Sequence, residues 1–135
     1  NESELDSTLN AISLFLDSHR FTTASNTSFY VWSDGIDKSL LKKFSLVLDP
    51  SCVLMERMNC GLYHGMNRKN EMESRVKSLR QFGRSAYLCA NACSRDSFSS
   101  RISESLEEIQ IVSNLALQNH SQGALLCDES GHAPI

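Results

Sequence analysis

Acidic residues follow two of the strands that the sequence predicts. Asp34 lies in the turn sequence WSDG, after the apolar run FYVW, and Asp128 follows the run GALLC. Ligands of α/β sheets bind beyond the carboxyl ends of strands, so acids placed there can hold a metal ion or activate water. Asp-Gly is equally a common turn-forming pair. One alternative function is therefore a metal-dependent hydrolase that uses Asp34 and Asp128.

The five cysteines offer a second kind of chemistry. Cys89 and Cys93 are separated by three residues directly after a predicted strand, and a zinc site needs such a spacing together with a second ligand pair. Cys52 and Cys60 are too far apart for a zinc knuckle, although His64 could replace one of them. Cys89 and Cys93 remain the metal candidates, but we expect neither a metal nor a cofactor. Thiols within apolar runs are expected to be buried and reduced, which indicates a cytoplasmic location.

A basic segment lies between two acidic ones. Residues 56–101 carry nine basic and four acidic side chains, a net charge of +5, whereas residues 1–55 carry −3 and residues 102–135 carry −5. Such a segment can bind phosphate or RNA, or it can pair with the acidic helix of the same chain. The RNA- or phosphate-binding alternative depends on six side chains: Arg68, Lys69, Arg75, Lys77, Arg80 and Arg84.

Complete catalytic motifs are missing from the sequence. It contains no G-x-S-x-G nucleophile elbow, no phosphate-binding P-loop and no dinucleotide-binding glycine pattern. The four histidines are scattered, and none accompanies a recognisable nucleophile. The sequence leaves enzymatic activity open but favours a binding or regulatory protein.

The longest predicted element is a helix over residues 96–119. Apolar residues recur on one of its faces over six turns, and 24 residues span about 36 Å, more than a compact domain of this size needs. The stripe predicts either a core helix or a docking surface for a second copy or another protein. The residues expected to bind that partner are Ile102, Leu106, Ile109 and Val112.

The remaining segments predict an α/β (or α+β) fold, in which helices pack on a single small sheet. The predicted order is α-β-α-β-β-α-β-α-β. Two short apolar runs, residues 44–48 and 52–56, are joined by an Asp-Pro turn and predict a hairpin. Strands over 86–89 and 124–127 flank the long helix and predict a parallel crossover unit. Gly83 is predicted to end the helix before it.

Length and composition indicate one domain. The chain has 135 residues, of which 41% are hydrophobic and 21% are charged, with a net charge of −3. These values are typical of a globular domain, and no apolar run approaches the roughly 20 residues that cross a membrane. We expect residues 1–135 to form a single α/β regulatory domain, a fragment of a longer chain.

Two local resemblances add to these expectations. Residues 105–131, SLEEIQIVSNLALQNHSQGALLCDESG, resemble the opening of a GAF or PAS sensory domain, which implies sensing of a small ligand and signalling through dimer helices. Residues 83–93, GRSAYLCANAC, resemble the signature of the YlxR-type RNA-binding family, which implies a role in RNA binding for Arg84. The favoured function is a regulatory or sensory module that binds a small ligand or a protein partner and that dimerises or docks through helix 96–119.

Overall fold

A computed structural model describes residues 1–20, 28–58, 66–91 and 102–127. Within these ranges the chain forms four α-helices, a short 3-10 turn at Lys38–Leu40 and four strands. The helices are α1 (Glu2–Arg20), α2 (Leu41–Val47), α3 (Met66–Gln81) and α4 (Ile102–Gln118), and the strands are β1 (Tyr30–Trp32), β2 (Val53–Arg57), β3 (Ala86–Asn91) and β4 (Gly123–Cys127). The predicted α/β class is confirmed.

The four strands form one parallel sheet in the order β1-β2-β3-β4, which is also their order along the chain. The register pairs Trp32 with Met55, Met55 with Tyr87, and Tyr87 with Gly123. A helix connects each strand to the next, as parallel neighbours require. The predicted crossover unit is confirmed, because α4 connects β3 to β4 and these two strands pair in parallel.

The predicted hairpin at 44–48 and 52–56 is wrong. Residues 44–47 belong to α2, and β2 pairs in parallel with β1 rather than with an antiparallel neighbour. The helix forms because Leu41, Phe44 and Leu48 recur at helical spacing and are all buried. The apolar run that suggested a strand therefore covers the sheet.

All the described helices lie on one side of the sheet. The first core cluster joins α1, α2 and the end of α3 to Leu54 and Ala86. The second core cluster joins α3 and α4 to Met58, Leu88 and Ala90. These five residues alternate along β2 and β3, so they all project from the same face, which we call the covered face.

Gly83 ends α3 as the sequence predicts. Its φ is 82°, a left-handed conformation that glycine adopts without steric cost. The Gly83 amide donates to the Arg80 carbonyl (3.0 Å) and the Arg84 amide donates to the Leu79 carbonyl (2.9 Å), which is the Schellman pattern of a helix C-terminus. None of the helices in the described ranges combines the length and the apolar character needed to cross a membrane.

Candidate functional site at the carboxyl edge of the sheet

The opposite face of the sheet, the open face, presents aromatic and polar side chains. No described residue belongs to a core cluster on this side. Strand alternation and register place nine side chains here: Tyr30, Trp32, Val53, Met55, Arg57, Tyr87, Cys89, Leu125 and Cys127. Because the strands are parallel, their carboxyl ends meet at one edge, where ligands of α/β sheets commonly bind.

Asp34, Arg57 and Trp32 meet at this edge. Arg57 Nη2 lies 3.5 Å from Asp34 Oδ2, and the guanidinium carbon lies 4.7 Å from the centroid of the Trp32 ring. The indole face attracts the cation and holds the guanidinium in place. The carboxylate of Asp34 is thus fixed by one oxygen only.

The second oxygen of Asp34 is unusual. Oδ1 is buried, and it accepts no hydrogen bond from the residues that the structure describes. A carboxylate oxygen without a donor is costly to bury, so such atoms are expected where a ligand or water supplies the missing donor.

A second acid, Glu56, lies one residue before Arg57 on the covered face and is fully engaged. Arg75 of α3 donates from Nε to Glu56 Oε2 (3.1 Å) and from Nη2 to Glu56 Oε1 (3.1 Å). Arg75 also donates to the carbonyls of Ser33 and Ile36 (both 2.6 Å), and Ser33 Oγ donates to Glu56 Oε1 (2.7 Å). This buried network ties α3 to the ends of β1 and β2 beneath Asp34, which makes it a support of the edge.

Cys89 is the buried thiol of the open face. Its pKa is raised to about 12, chiefly by burial and also by neighbouring Cys127 and Asp34, while Arg57 opposes the shift. The thiol is therefore protonated at neutral pH and is neither a nucleophile nor a metal ligand in that state. The predicted partner Cys93 lies outside the described residues, and no group of three or more potential metal ligands occurs in the ranges that the structure describes.

The other predicted site residues are dispersed. Asp128 lies outside the described residues. Asp34 follows β1, whereas Cys127, the residue before Asp128, ends β4. These two strands form opposite edges of the sheet, three strand spacings or about 14 Å apart.

Three of the six basic residues proposed to bind RNA or phosphate donate hydrogen bonds within the protein, and one of them, Arg80, donates from Nη1 to the Asn119 carbonyl (3.5 Å). Arg75 belongs to the network with Glu56, and Arg84 donates to the carbonyls of Ser45 (3.0 Å), Asp49 (3.2 Å) and Leu48. Lys77 pairs with Glu73 on the surface of α3 (3.1 Å). Arg80 is exposed, Lys69 is partly buried, and the side chain of Arg68 is outside the described part of the structure.

The proposed partner-binding face of α4 is mostly internal. Val112 is completely buried in the second core cluster, and Ile109 packs against that cluster. Leu106 is exposed, and the side chain of Ile102 is not among those described. The stripe is a core stripe over its last turns, so of the four predicted partner-binding residues only Leu106 is exposed among those whose side chains the structure describes.

Comparison with known proteins gives no relative: no family model, no curated protein and no solved structure matches the chain. Neither the GAF or PAS resemblance nor the YlxR-type resemblance is accompanied by a family match.

Sequence reasoning found Asp34 but missed the residues around it. Glu56 and Arg57 are adjacent charges inside the apolar strand segment CVLMERM, and this interruption was the available signal. Charged residues are rarely buried unless they are paired, and adjacent residues of a strand project from opposite faces, so opposite charges at adjacent positions of a central strand indicate one ion pair on each face. Trp32 was assigned only to a strand, although its position before Asp34 placed it at the same edge.

Proposed function

We propose that this protein is a small-ligand-binding α/β module whose site lies at the carboxyl edge of the open face. The observation that carries the proposal is the buried, unpaired Oδ1 of Asp34 beside an arginine that is stacked on Trp32. A ligand that donates a hydrogen bond to Oδ1 would satisfy this atom, and the nearby apolar surface of the open face suits a ring. The fitting chemistry is therefore a small ring compound that carries a hydroxyl or amino group.

The test uses three probes that differ in one substituent: cyclohexylamine, cyclohexanol and cyclohexanecarboxylate. Trp32 is the only tryptophan, so its fluorescence reports binding at this edge. We expect the amine and the alcohol to bind and the carboxylate to be rejected, because like charges repel next to Asp34. Equal binding of the carboxylate, or no response to any of the three probes, would rule out the proposed site.

A matched pair of variants assigns the effect to Asp34. Asp34→Asn should abolish the preference for the amine, because the amide carries no charge. Asp37→Asn is the control: Asp37 is exposed, lies three residues away, and caps the 3-10 turn by accepting from the Ser39 amide, a role that asparagine also fills. An unchanged preference in Asp34→Asn would remove Asp34 from the site.

The regulatory part of the proposal is that ligand binding is coupled to docking of another protein through α4. Leu106 and Leu117 support it, because both are exposed and a spacing of eleven residues places them on the same side of the helix. Leu106→Lys should weaken docking in a pull-down, while the probes still bind. We also propose a cytoplasmic location, supported by Cys89 and Cys127, which form no disulfide within the described part of the chain.

A further inference from the structure

Within the residues that the structure describes, the sheet is incomplete in three directions. Parallel sheets are normally covered on both faces, yet the open face carries Tyr30 and Trp32 with 51% and 40% of their surfaces exposed. In the described structure, β1 and β4 each pair with one neighbour only, so both edges leave a row of backbone donors and acceptors without strand partners. The covered face also ends early, because Leu126 of β4 lies on that side and remains 59% exposed.

The winding of the chain explains why these gaps occur together. Each strand is added beside the previous one, always in parallel, and all the described helices lie on the same side. Right-handed crossovers with this strand order produce a sheet that has all its helices on one side and curves around its open face. Eight such strands close into a barrel. The four strands that the structure describes are half of that number and cannot close alone.

Aromatic and apolar side chains make up most of the open face. Its alternating residues include Met55, Tyr87 and Leu125 as well as the two aromatic residues of β1. The rings of Tyr30 and Tyr87 lie 6.3 Å apart between centroids, although their strands are two spacings or about 9.6 Å apart. The side chains thus converge above β2, as they do on a concave surface.

We propose that a second copy of this chain covers the open face, and that the two four-stranded sheets close into an eight-stranded parallel barrel. A two-fold axis along the strands preserves their direction, so β4 of one copy pairs in parallel with β1 of the other, and the same contact forms twice. This single arrangement gives strand partners to the backbone groups of both edge strands, and it encloses the open faces of both copies. The partner's α1, which precedes its β1, then lies over the exposed Leu126.

Sedimentation equilibrium of the full chain tests the proposal. We expect a mass of twice the 15.1 kDa of one chain. A monomer at about 100 μM overturns the proposal, because an interface that buries both faces and both edges should bind far more tightly.

Charged substitutions distinguish the proposed interface from other ways of forming a dimer. We call the contact between β4 of one copy and β1 of the other the seam. Leu126→Lys places an ammonium in the seam and should raise the dimer dissociation constant by about tenfold or more. Leu46→Lys on α2 is the matched control, since Leu46 is 65% exposed but lies away from both edges, and it should leave the dimer intact. Tyr30→Asp on β1 tests the other edge strand and should raise the dimer dissociation constant as Leu126→Lys does. If circular dichroism shows that Leu126→Lys does not fold, Tyr30→Asp replaces it as the test of the seam.

Two outcomes would contradict the barrel. Dissociation by Leu46→Lys equal to that of Leu126→Lys would show that the seam is not the interface. A dimer that resists both seam variants but dissociates in Leu106→Lys would assign the interface to α4, which supports the regulatory proposal and overturns this one.

Discussion

Asp34 follows β1 and Glu56 lies on the neighbouring strand β2, each beside an arginine, but the two acids have different surroundings. Glu56 accepts from Arg75 and Ser33 through both oxygens, whereas Asp34 has one buried oxygen with no described donor. A saturated buried network stabilises a structure, and an unsatisfied atom beside it indicates a place for a ligand. The hydrogen-bond network of Glu56 on the covered face therefore stabilises this part of the sheet, and the candidate site lies on the open face.

The buried ion pair gives a stability prediction. Arg75→Ala leaves the almost fully buried Glu56 carboxylate without its partner, so we expect the free energy of unfolding to fall by about 3–5 kcal/mol. Lys77→Ala is the control on the same helix, because its pair with Glu73 is at the surface and should contribute less than about 0.5 kcal/mol. Urea unfolding measures both, and equal losses would show that the network carries no special weight.

Cys89 predicts a loss of stability at alkaline pH. Its pKa in the folded protein, about 12, is higher than that of an unfolded thiol, so folding favours the protonated form. The contribution is complete below the unfolded pKa of about 8.5 and is lost as the pH rises towards 12. Urea unfolding at several alkaline pH values measures this loss. As the pH rises, the free energy of unfolding should fall less in Cys89→Ala than in the wild type. Identical pH dependence would show that Cys89 does not titrate in this way.

At the scale of elements, the ends of helices are fixed by specific contacts. Arg84 donates to three carbonyls at and just beyond the C-terminus of α2, and thereby links that helix to the start of β3. The helix has only seven residues, too few to be stable without such tertiary contacts. The arginine that resembled an RNA-binding position is thus part of the packing between elements.

The end of α3 gives a matched prediction about glycine. Gly83→Ala should reduce the free energy of unfolding by about 1 kcal/mol, because alanine is strained at a φ of 82°. Gly35→Ala should change it by less than about 0.5 kcal/mol, because Gly35 has no positive φ and nothing within 4 Å of an added Cβ. Thermal unfolding of both variants measures the difference. Equal effects would mean that conformation at Gly83 does not limit the helix.

The elements were predictable to the extent that their periodicity was long. α1, α3 and α4 span several turns, so their apolar spacing identified them, and β1, β3 and β4 are short apolar runs bounded by turns or polar residues. A short helix was predicted over residues 37–43, but α2 continues to Val47; its second half was taken for a strand because so few residues do not distinguish a helical period from a continuous apolar run. The site was predictable only through Asp34, since the position of Arg57 against Trp32 depends on the pairing of β1 with β2.

At the scale of the whole molecule, the two core clusters share α3. Leu79 belongs to the first cluster, and Met72 and Val76 belong to the second, so one helix packs into both. Cooperative unfolding is expected when the same rigid element joins two cores. The chain should therefore behave as one unit, although its core has two parts.

A variant far from Trp32 tests this cooperativity. Leu115→Ala in α4 should cost about 2–5 kcal/mol, because Leu115 is completely buried in the second cluster. Trp32 lies on β1, at the opposite edge of the sheet from β4. The urea midpoints measured by Trp32 fluorescence and by circular dichroism should shift together. A fluorescence midpoint that stays at its wild-type value would show that the two clusters unfold separately.

The agreement between strand order and chain order has a consequence for synthesis on the ribosome. Each strand pairs with a neighbour that was made before it, so the sheet can grow at one edge as the chain emerges. β2 can pair with β1 before β3 exists, and no strand has to be inserted between two others. The growing edge is always the newest strand, and the protein can assemble in the direction in which it is translated.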